Sequence, residues 1–322
     1  MKNRRLVILV MGFLLLAVGG QAAMAADYPQ KPIRVIIPYS AGGGNDVLAR
    51  AFQPAFEKVL GQRILIDNIP AGTTKVGTME LLKAKPDGYT LIFSTTEAWV
   101  GYYYSKTYDT KAWEQMTPIG NVTSEPYGFV EIRAESPIKS WADLVAAAKK
   151  NPGKLSSGGP GAGGMMELIH NIITKSSGIS TQYVPFAGAG PSKVALLGGH
   201  VDYRVCQPTE AIAMIRAGKT RGLAISTEKR QPTLSDVPTF GELGIGGSIL
   251  LTRGLWGPPK LPANLVALLT KAVEKASKDP EFIKVAEEQL LYTVEYRTPD
   301  KMKSELEKFD KEFGPKLAEM YK

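Results

Sequence analysis

Ile33-Arg-Val-Ile-Ile-Pro-Tyr-Ser-Ala-Gly-Gly-Gly-Asn-Asp-Val-Leu48 is the stretch that decides the fold. Ile33, Val35, Ile36 and Ile37 read as a buried strand, and residues 38–46 as a tight loop. Val47/Leu48, Ala51/Phe52, Ala55/Phe56 and Val59/Leu60 then repeat every four residues as an apolar helical stripe. A glycine loop that hands its backbone N–H groups to a helix N-terminus is suited to an anion. A loop that only turns a strand into a helix satisfies the same residues. Walker-type phosphate binding needs a lysine and a hydroxyl where Asn45-Asp46 stands, and Gly42-Gly43-Gly44 does not supply the G-x-G-x-x-G of a dinucleotide site. Asp46 sits where it caps the helix, and its charge repels a phosphate dianion; a carboxylate held partly through water is the easier guest.

Outward from this stretch, strand and helix alternate. Residues 63–67 and 89–94 read as strands and 74–83 as a helix capped by Thr73 or Thr74, the pattern of a parallel sheet covered by helices. A second α/β pattern starts near Asn121. It has a strand at 127–132, a helix from Ser140 to Lys150 with Asp143 completing a capping box, and a glycine-rich loop at 155–164 before a helix at 165–174. Residues 184–191 read as another small-residue loop. Strands follow at 201–205 and 221–226, then a late one at 249–256. The remainder reads as helices that pack back on the first unit, with Gly314-Pro315 kinking or breaking the last. Two α/β lobes with a cleft between them result, and such clefts are preferred ligand sites. Aromatics gathered at 99–108 fit the lining of a cleft or the cover of a core edge, and the second is the preferred reading.

Residues 1–25 read as a signal peptide: Lys2, Arg4 and Arg5, an apolar run from Leu6 to Val18, then Ala23-Met24-Ala25 as a cleavage site. Their removal takes the formal charge from +8 to +5. The plan is residues 26–122 with 249–322 as the first lobe and 123–248 as the second. Basic residues are spread rather than clustered, which argues against nucleic acid. With Cys206 alone, no disulfide forms within the chain, and His170, His200 and Cys206 make no metal-ligand cluster. No nucleophile–base pair is evident, so no catalytic residue, cofactor or metal is assigned. Both histidines read as structural; Cys206 lies at a strand end within reach of the cleft but reads first as a small buried hydrophobe.

Tyr28-Pro-Gln-Lys-Pro-Ile-Arg-Val-Ile-Ile-Pro-Tyr-Ser-Ala-Gly-Gly-Gly-Asn-Asp46 resembles the opening motif of the periplasmic receptors of tripartite tricarboxylate transporters, the Bug or TctC family. Pro86-Asp-Gly-Tyr-Thr-Leu91, Asn151-Pro-Gly-Lys-Leu155, Val184-Pro-Phe186, Leu197-Gly-Gly-His-Val-Asp202, Ala217-Gly-Lys219 and Asp236-Val-Pro-Thr239 resemble it too. The resemblance covers nearly the whole mature chain. It implies a two-lobed, Venus-flytrap α/β fold, each lobe a mostly parallel sheet flanked by helices. It also implies a monomeric, non-enzymatic receptor that holds a small organic carboxylate and passes it to membrane transporter subunits. The carboxylate grip it implies involves Tyr39, Ser40, Ala41, Gly42, Gly43 and Asp46, with Thr95 beside them. Across the cleft stand Ser157, Gly158, Gly161 and Gly163, then Phe186, Ala187 and Gly188. The chain departs from the family at Ile69, at Val205-Cys206, at Gly159-Pro160 and at Ala187, around the far end of the ligand. Arg253, in the late strand, is a candidate for a second carboxylate, with a surface arginine as the alternative. An exported enzyme acting on a carboxylated substrate and a carboxylate sensor for a signalling partner are the competing readings.

Overall fold

The computed structural model describes residues 28–71, 74–161, 165–227, 229–245, 249–290 and 292–322. The leader read at 1–25 and Gly163 of the second loop therefore lie outside the described residues. In chain order the elements are β1 (Ile33–Ile37), α1 (Gly44–Leu60), β2 (Ile64–Asn68), α2 (Lys75–Leu82), β3 (Thr90–Thr95), α3 (Ala98–Tyr104), α4 (Ala112–Gln115), β4 (Thr117–Pro126) and β5 (Phe129–Arg133). There follow α5 (Trp141–Lys150), β6 (Ser156–Pro160), α6 (Met165–Ser177), β7 (Gln182–Phe186), α7 (Ala189–Leu197), β8 (Tyr203–Cys206), α8 (Pro208–Arg216) and β9 (Thr220–Ile225). The last are β10 (Leu250–Gly257), α9 (Ala263–Ser277), α10 (Pro280–Lys284), β11 (Val294–Arg297) and α11 (Pro299–Met320).

The strands form two sheets, ordered β11-β4-β10-β3-β1-β2 and β7-β6-β8-β5-β9. Both are mixed rather than mostly parallel. In the first, β2, β1 and β3 run parallel while β10, β4 and β11 join antiparallel. In the second, β7, β6 and β8 are parallel and β5 and β9 antiparallel. The chain passes from the first sheet to the second between Pro126 and Phe129 and returns near Ile249. These crossings are stitched together: Tyr127 N–H donates to Ile249 O at 2.9 Å, Gly128 N–H to Ser226 Oγ at 2.7 Å, and Ser226 Oγ to Ile249 O at 2.9 Å.

The helical stripe of α1 is buried as its spacing predicts. Leu48, Phe52, Ala55 and Phe56 pack with Leu91, Phe93, Leu265 and Leu269, so α1 and α9 cover one face of the first sheet. Each large side chain fully buried there contributes about 1.5–3 kcal/mol. A second apolar cluster reaches from Ile36, Trp99 and Trp256 through Met165 and Ile169 to Met302, Leu306, Phe309 and Leu317. The terminal helix α11 thus packs against β4, α3 and also α6 of the second unit. It runs through Pro315 as one helix, so the chain does not break there. The capping box at Ser140 forms: Asp143 N–H donates to Ser140 Oγ at 3.2 Å and Ser140 N–H to Asp143 Oδ2 at 2.9 Å.

Other expectations are corrected. The glycine-rich run at 155–164 is a strand over Ser156–Pro160, and 184–191 is a strand as far as Phe186. Side chains of neighbouring elements fill the space that missing Cβ atoms leave: the Tyr183 ring lies on Gly159, while Val201 and Phe186 would stand 3.1 and 3.2 Å from a Cβ at Gly158. The long strand β4 escaped the pattern because its buried Asn121, Thr123, Ser124 and Glu125 are polar. It runs through residue 122 and stays in the first sheet to Pro126. β11 is a short edge strand amid helices. Thr74 does not cap α2 through its side chain; its Oγ1 lies 2.8 Å from Tyr108 Oη.

Candidate functional site

In a sheet of this kind, the loops that leave the carboxyl ends of parallel strands gather at one edge, where ligands bind. Here those loops follow β1, β2 and β3 in one unit and β6, β7 and β8 in the other.

The loop after β1 is fixed by Asp46. Its carboxylate accepts the Gly42 N–H at 2.8 Å, Arg50 Nε at 3.0 Å and Asn68 Nδ2 at 3.0 Å. Asn68 Nδ2 also donates to Tyr39 O at 3.1 Å, so the end of β2 holds both sides of the loop. Burial works against the Asp46 charge, but Arg50, the Gly42 N–H and Asn68 outweigh it and hold the carboxyl below its usual range. Gly42 has φ +77°, a left-handed conformation that suits glycine. Asp46 lies in the first turn of α1 rather than at the N-cap, and its carboxylate is spent on the loop. Two N–H groups are likewise committed: Gly42 to Asp46, and Gly43 to Ser40 O at 3.2 Å. That leaves the exposed Ser40–Ala41 segment and the first turn of α1 as the anion-facing part, since first-turn N–H groups have no acceptor within their own helix.

Behind the loop, Asn45 and Thr95 hydrogen-bond through their side chains at 3.1 Å, tying α1 to the end of β3. Tyr292 Oη donates to Gly44 O at 3.3 Å. Arg253 stands opposite Thr95 in the β3–β10 register, with its guanidinium 5.0 Å from the Tyr292 ring centroid. It is neither free nor on the surface: it is 3% exposed and ion-paired with Glu125, itself 2% exposed. Burial pulls its pKa down. Glu97, just past β3, accepts Thr252 N–H at 2.9 Å and Thr252 Oγ1–H at 2.8 Å, and burial lifts its carboxyl to about 7.

In the second unit, Gly161 (φ +69°) is exposed, and its N–H donates to Phe186 O at 2.8 Å, joining the loop ends of β6 and β7. Ser157 is fully buried and Gly158 is covered, so of the β6 candidates only Gly161 reaches the surface among the described residues. Phe186 is half-buried against Ala195, Leu196 and Val201; Ala187 is exposed and Gly188 precedes α7. Cys206 is fully buried, with its Sγ 3.7 Å from Glu131 Oε2 and burial pushing its thiol pKa up, so it does not line the cleft. The cation there is Arg204, also fully buried. It is ion-paired with Glu131, and its Nη1 donates to Ala189 O at 3.2 Å and Ser192 Oγ at 3.3 Å, holding the start of α7. Its Nη2 stands 3.9 Å from Glu210 Oε2 in the first turn of α8.

Tyr127, in the first crossing, links the units. Burial raises its hydroxyl pKa. Where α3 meets α6, a Cβ at Gly101 would be 3.5 Å from Met165 Sδ. His170 is structural as read: buried between Tyr183 and Tyr203, with its pKa drawn down to about 4 by burial. His200 is exposed. A pocket of about 530 Å³ also lies beside the crossings; of its cations, Arg230 is paired with Glu242, Arg297 with Glu295 and Glu305, and Lys301 with Glu305, while Lys229 is exposed. Glu97, Glu125, Tyr127, Glu131, Arg204 and Glu210 were not singled out from sequence. The signal for Glu97 and Glu210 is their place just beyond the ends of β3 and β8.

With this geometry in view, comparison with known proteins is informative. The family described as tripartite tricarboxylate transporter family receptor, TctC, matches residues 48–313. A UPF0065 protein from the TAR-I ttuE-ttuC' intergenic region of Agrobacterium vitis is 32% identical over 265 residues, 81% of this chain and 76% of that protein. Among solved structures, a TctC solute-binding protein from Polaromonas is 28% identical, with TM-score 0.78 over 89% of this chain and 98% of that one. MatC from Rhodopseudomonas palustris, solved with bound malate, is 25% identical, with TM-score 0.73 over 92% of this chain and 100% of that one.

Proposed function

We propose a function from one premise: the chain belongs to the tripartite tricarboxylate transporter receptor family. It acts as an exported, non-enzymatic receptor in the periplasm. It captures a small organic carboxylate between its lobes and delivers it to the membrane subunits of a tripartite tricarboxylate-type transporter. The lobes are the two sheet-bearing units, divided after Pro126 and near Ile249.

The observation that carries this reading is the Asp46-braced loop. It has a left-handed glycine, a helix N-terminus behind it and no lysine in it. A loop fixed in this way offers N–H donors without the charge that a phosphate needs. The malate bound in MatC supports a carboxylate as the guest. One carboxylate sits on Ser40–Ala41 and the first turn of α1, under the Tyr39 hydroxyl. Gly161, Phe186, Ala187 and Gly188 approach it from the other lobe. Asp46 and Thr95 hold the loop in place.

A thermal-shift screen of organic acids tests the reading, because a ligand that binds only the folded state raises the melting temperature. A rise with at least one carboxylate, absent with phosphate and with nucleotides, is expected. A screen in which no carboxylate shifts the transition refutes it.

A further inference from the structure

Gly44 ends the Gly42-Gly43-Gly44 run and opens α1, and its missing side chain leaves room for a layer beneath it. A Cβ there would stand 2.8 Å from Tyr292 Oη and 3.7 Å from Arg253 Nη2. Tyr292 also donates to Gly44 O at 3.3 Å, and the Arg253 guanidinium lies 5.0 Å from its ring centroid. Thr95, opposite Arg253 in the β3–β10 register, ties Asn45 into the same layer. Arg253 is buried, and its Nε has no hydrogen-bond partner among the described residues. Its ion-pair partner Glu125 is equally buried, but no Glu125 atom lies within 4 Å of that Cβ position. The pair is therefore oriented, with its cation toward α1 and its anion away.

The other charges nearby are engaged elsewhere. Asp46, in the first turn of α1, is matched by Arg50. Glu97 accepts from Thr252, which adjoins Arg253 in β10 and so projects from the opposite face of the sheet. Arg297, which favours the Glu97 charge at longer range, is paired with Glu295 and Glu305.

We infer that Arg253 is a positioning residue for the ligand carboxylate, acting through the first turn of α1 rather than by contact. This rests on the proposed carboxylate-receptor reading and deepens it. The first-turn N–H groups carry the positive end of the helix dipole, and residues 38–46 bring no cation of their own. The guanidinium adds a formal charge behind those N–H groups, where burial limits screening by salt. Glu125 tempers that charge and keeps the arginine from being stranded in the core. The pair thus sets how strongly the loop attracts an anion without entering the cleft.

Isothermal titration with a panel of organic acids that includes malate, adipate and benzoate tests this. The wild-type protein is compared with Glu125→Gln and with the charge-free double variant Arg253→Met/Glu125→Leu, and urea unfolding of each reads stability in parallel. Glu125→Gln keeps the cation and removes its counter-charge. It should bind the tightest acid of the panel about three- to tenfold more strongly, while being less stable than the wild type. The double variant leaves no charge stranded and should fold, but bind that acid about three- to tenfold more weakly. A pair with only a structural role would weaken binding in step with lost stability. Glu125→Gln binding no tighter than the wild type, or the double variant binding as tightly as it, overturns the inference and leaves the receptor reading standing. A wild-type protein that binds no acid of the panel defeats both.

Discussion

Gly42 gives its backbone N–H to the Asp46 carboxylate at 2.8 Å, four residues along the chain. This bond turns a flexible glycine run into a shaped loop, because Asp46 is itself held by Arg50 and Asn68. Removing the carboxylate by Asp46→Ala leaves the Gly42 N–H without its acceptor, Arg50 Nε without its partner, and Asn68 Nδ2 with Tyr39 O alone. A cost of about 1–3 kcal/mol is expected from a lost buried hydrogen-bond partner. Carboxylate affinity should fall with it, by tenfold or more, since loop order is then supplied at the expense of binding. Urea unfolding and calorimetric titration of the same variant measure both.

The Arg204–Glu131 pair makes a separate prediction. Arg204→Met alone strands a buried carboxylate and should cost about 3–5 kcal/mol; Arg204→Met with Glu131→Leu should recover most of the loss, since a buried ion pair replaced by apolar groups is often neutral. Chemical denaturation of the single and double variants reads the difference. If the single variant is as stable as the wild type, Arg204 does not hold α7.

Two buried groups set opposite pH dependences. His170 is kept neutral in the fold, with a pKa near 4 against an ordinary value of 6.5. The unfolded chain therefore binds more protons between those values, and stability falls as pH drops from 6.5 toward 4. The loss is on the order of 3 kcal/mol, and His170→Phe should remove it from the profile. Glu97, lifted from 4.5 to about 7, acts the other way: the folded state holds the extra proton, and stability falls as pH rises from 4.5 to 7. Glu97→Gln should remove that decline. Denaturant midpoints across pH 4–8, taken as differences from wild type, check both.

Glycines of the second lobe differ in kind. At Gly159 an added Cβ would collide with the Tyr183 ring and hydroxyl, so Gly159→Ala should cost about 1–3 kcal/mol through forced repacking. At Gly161 a Cβ meets nothing within 4 Å, and only the φ of +69° is unfavourable. Gly161→Ala should cost about 1 kcal/mol. Melting temperatures of the two variants separate steric exclusion from backbone strain.

Much of this was legible in the sequence where periodicity carries the information. The α1 stripe, the Ser140 capping box and the loop after β1 follow from residue pattern alone. The α/β class and the family followed from motif. What escaped is polar or small and buried: β4 hides behind Asn121, Thr123 and Glu125, and β6 behind glycines whose missing side chains are replaced by Tyr183 and Phe186. Strand position put Cys206 and Arg253 in strands, as the structure has them. Strand position does not reveal that Glu131 and Glu125 engage them from neighbouring strands. The two buried ion pairs are therefore a property of strand pairing, visible only once the sheets are assembled.

The most direct test of the central claim is a crystal structure of the protein with the organic acid that most raises its melting temperature. The account predicts the carboxylate against Ser40–Ala41 and the first turn of α1, with the lobes closed over it. A carboxylate bound instead in the pocket beside the crossings, near Lys229 and Lys301, with the β1 loop vacant, would contradict it.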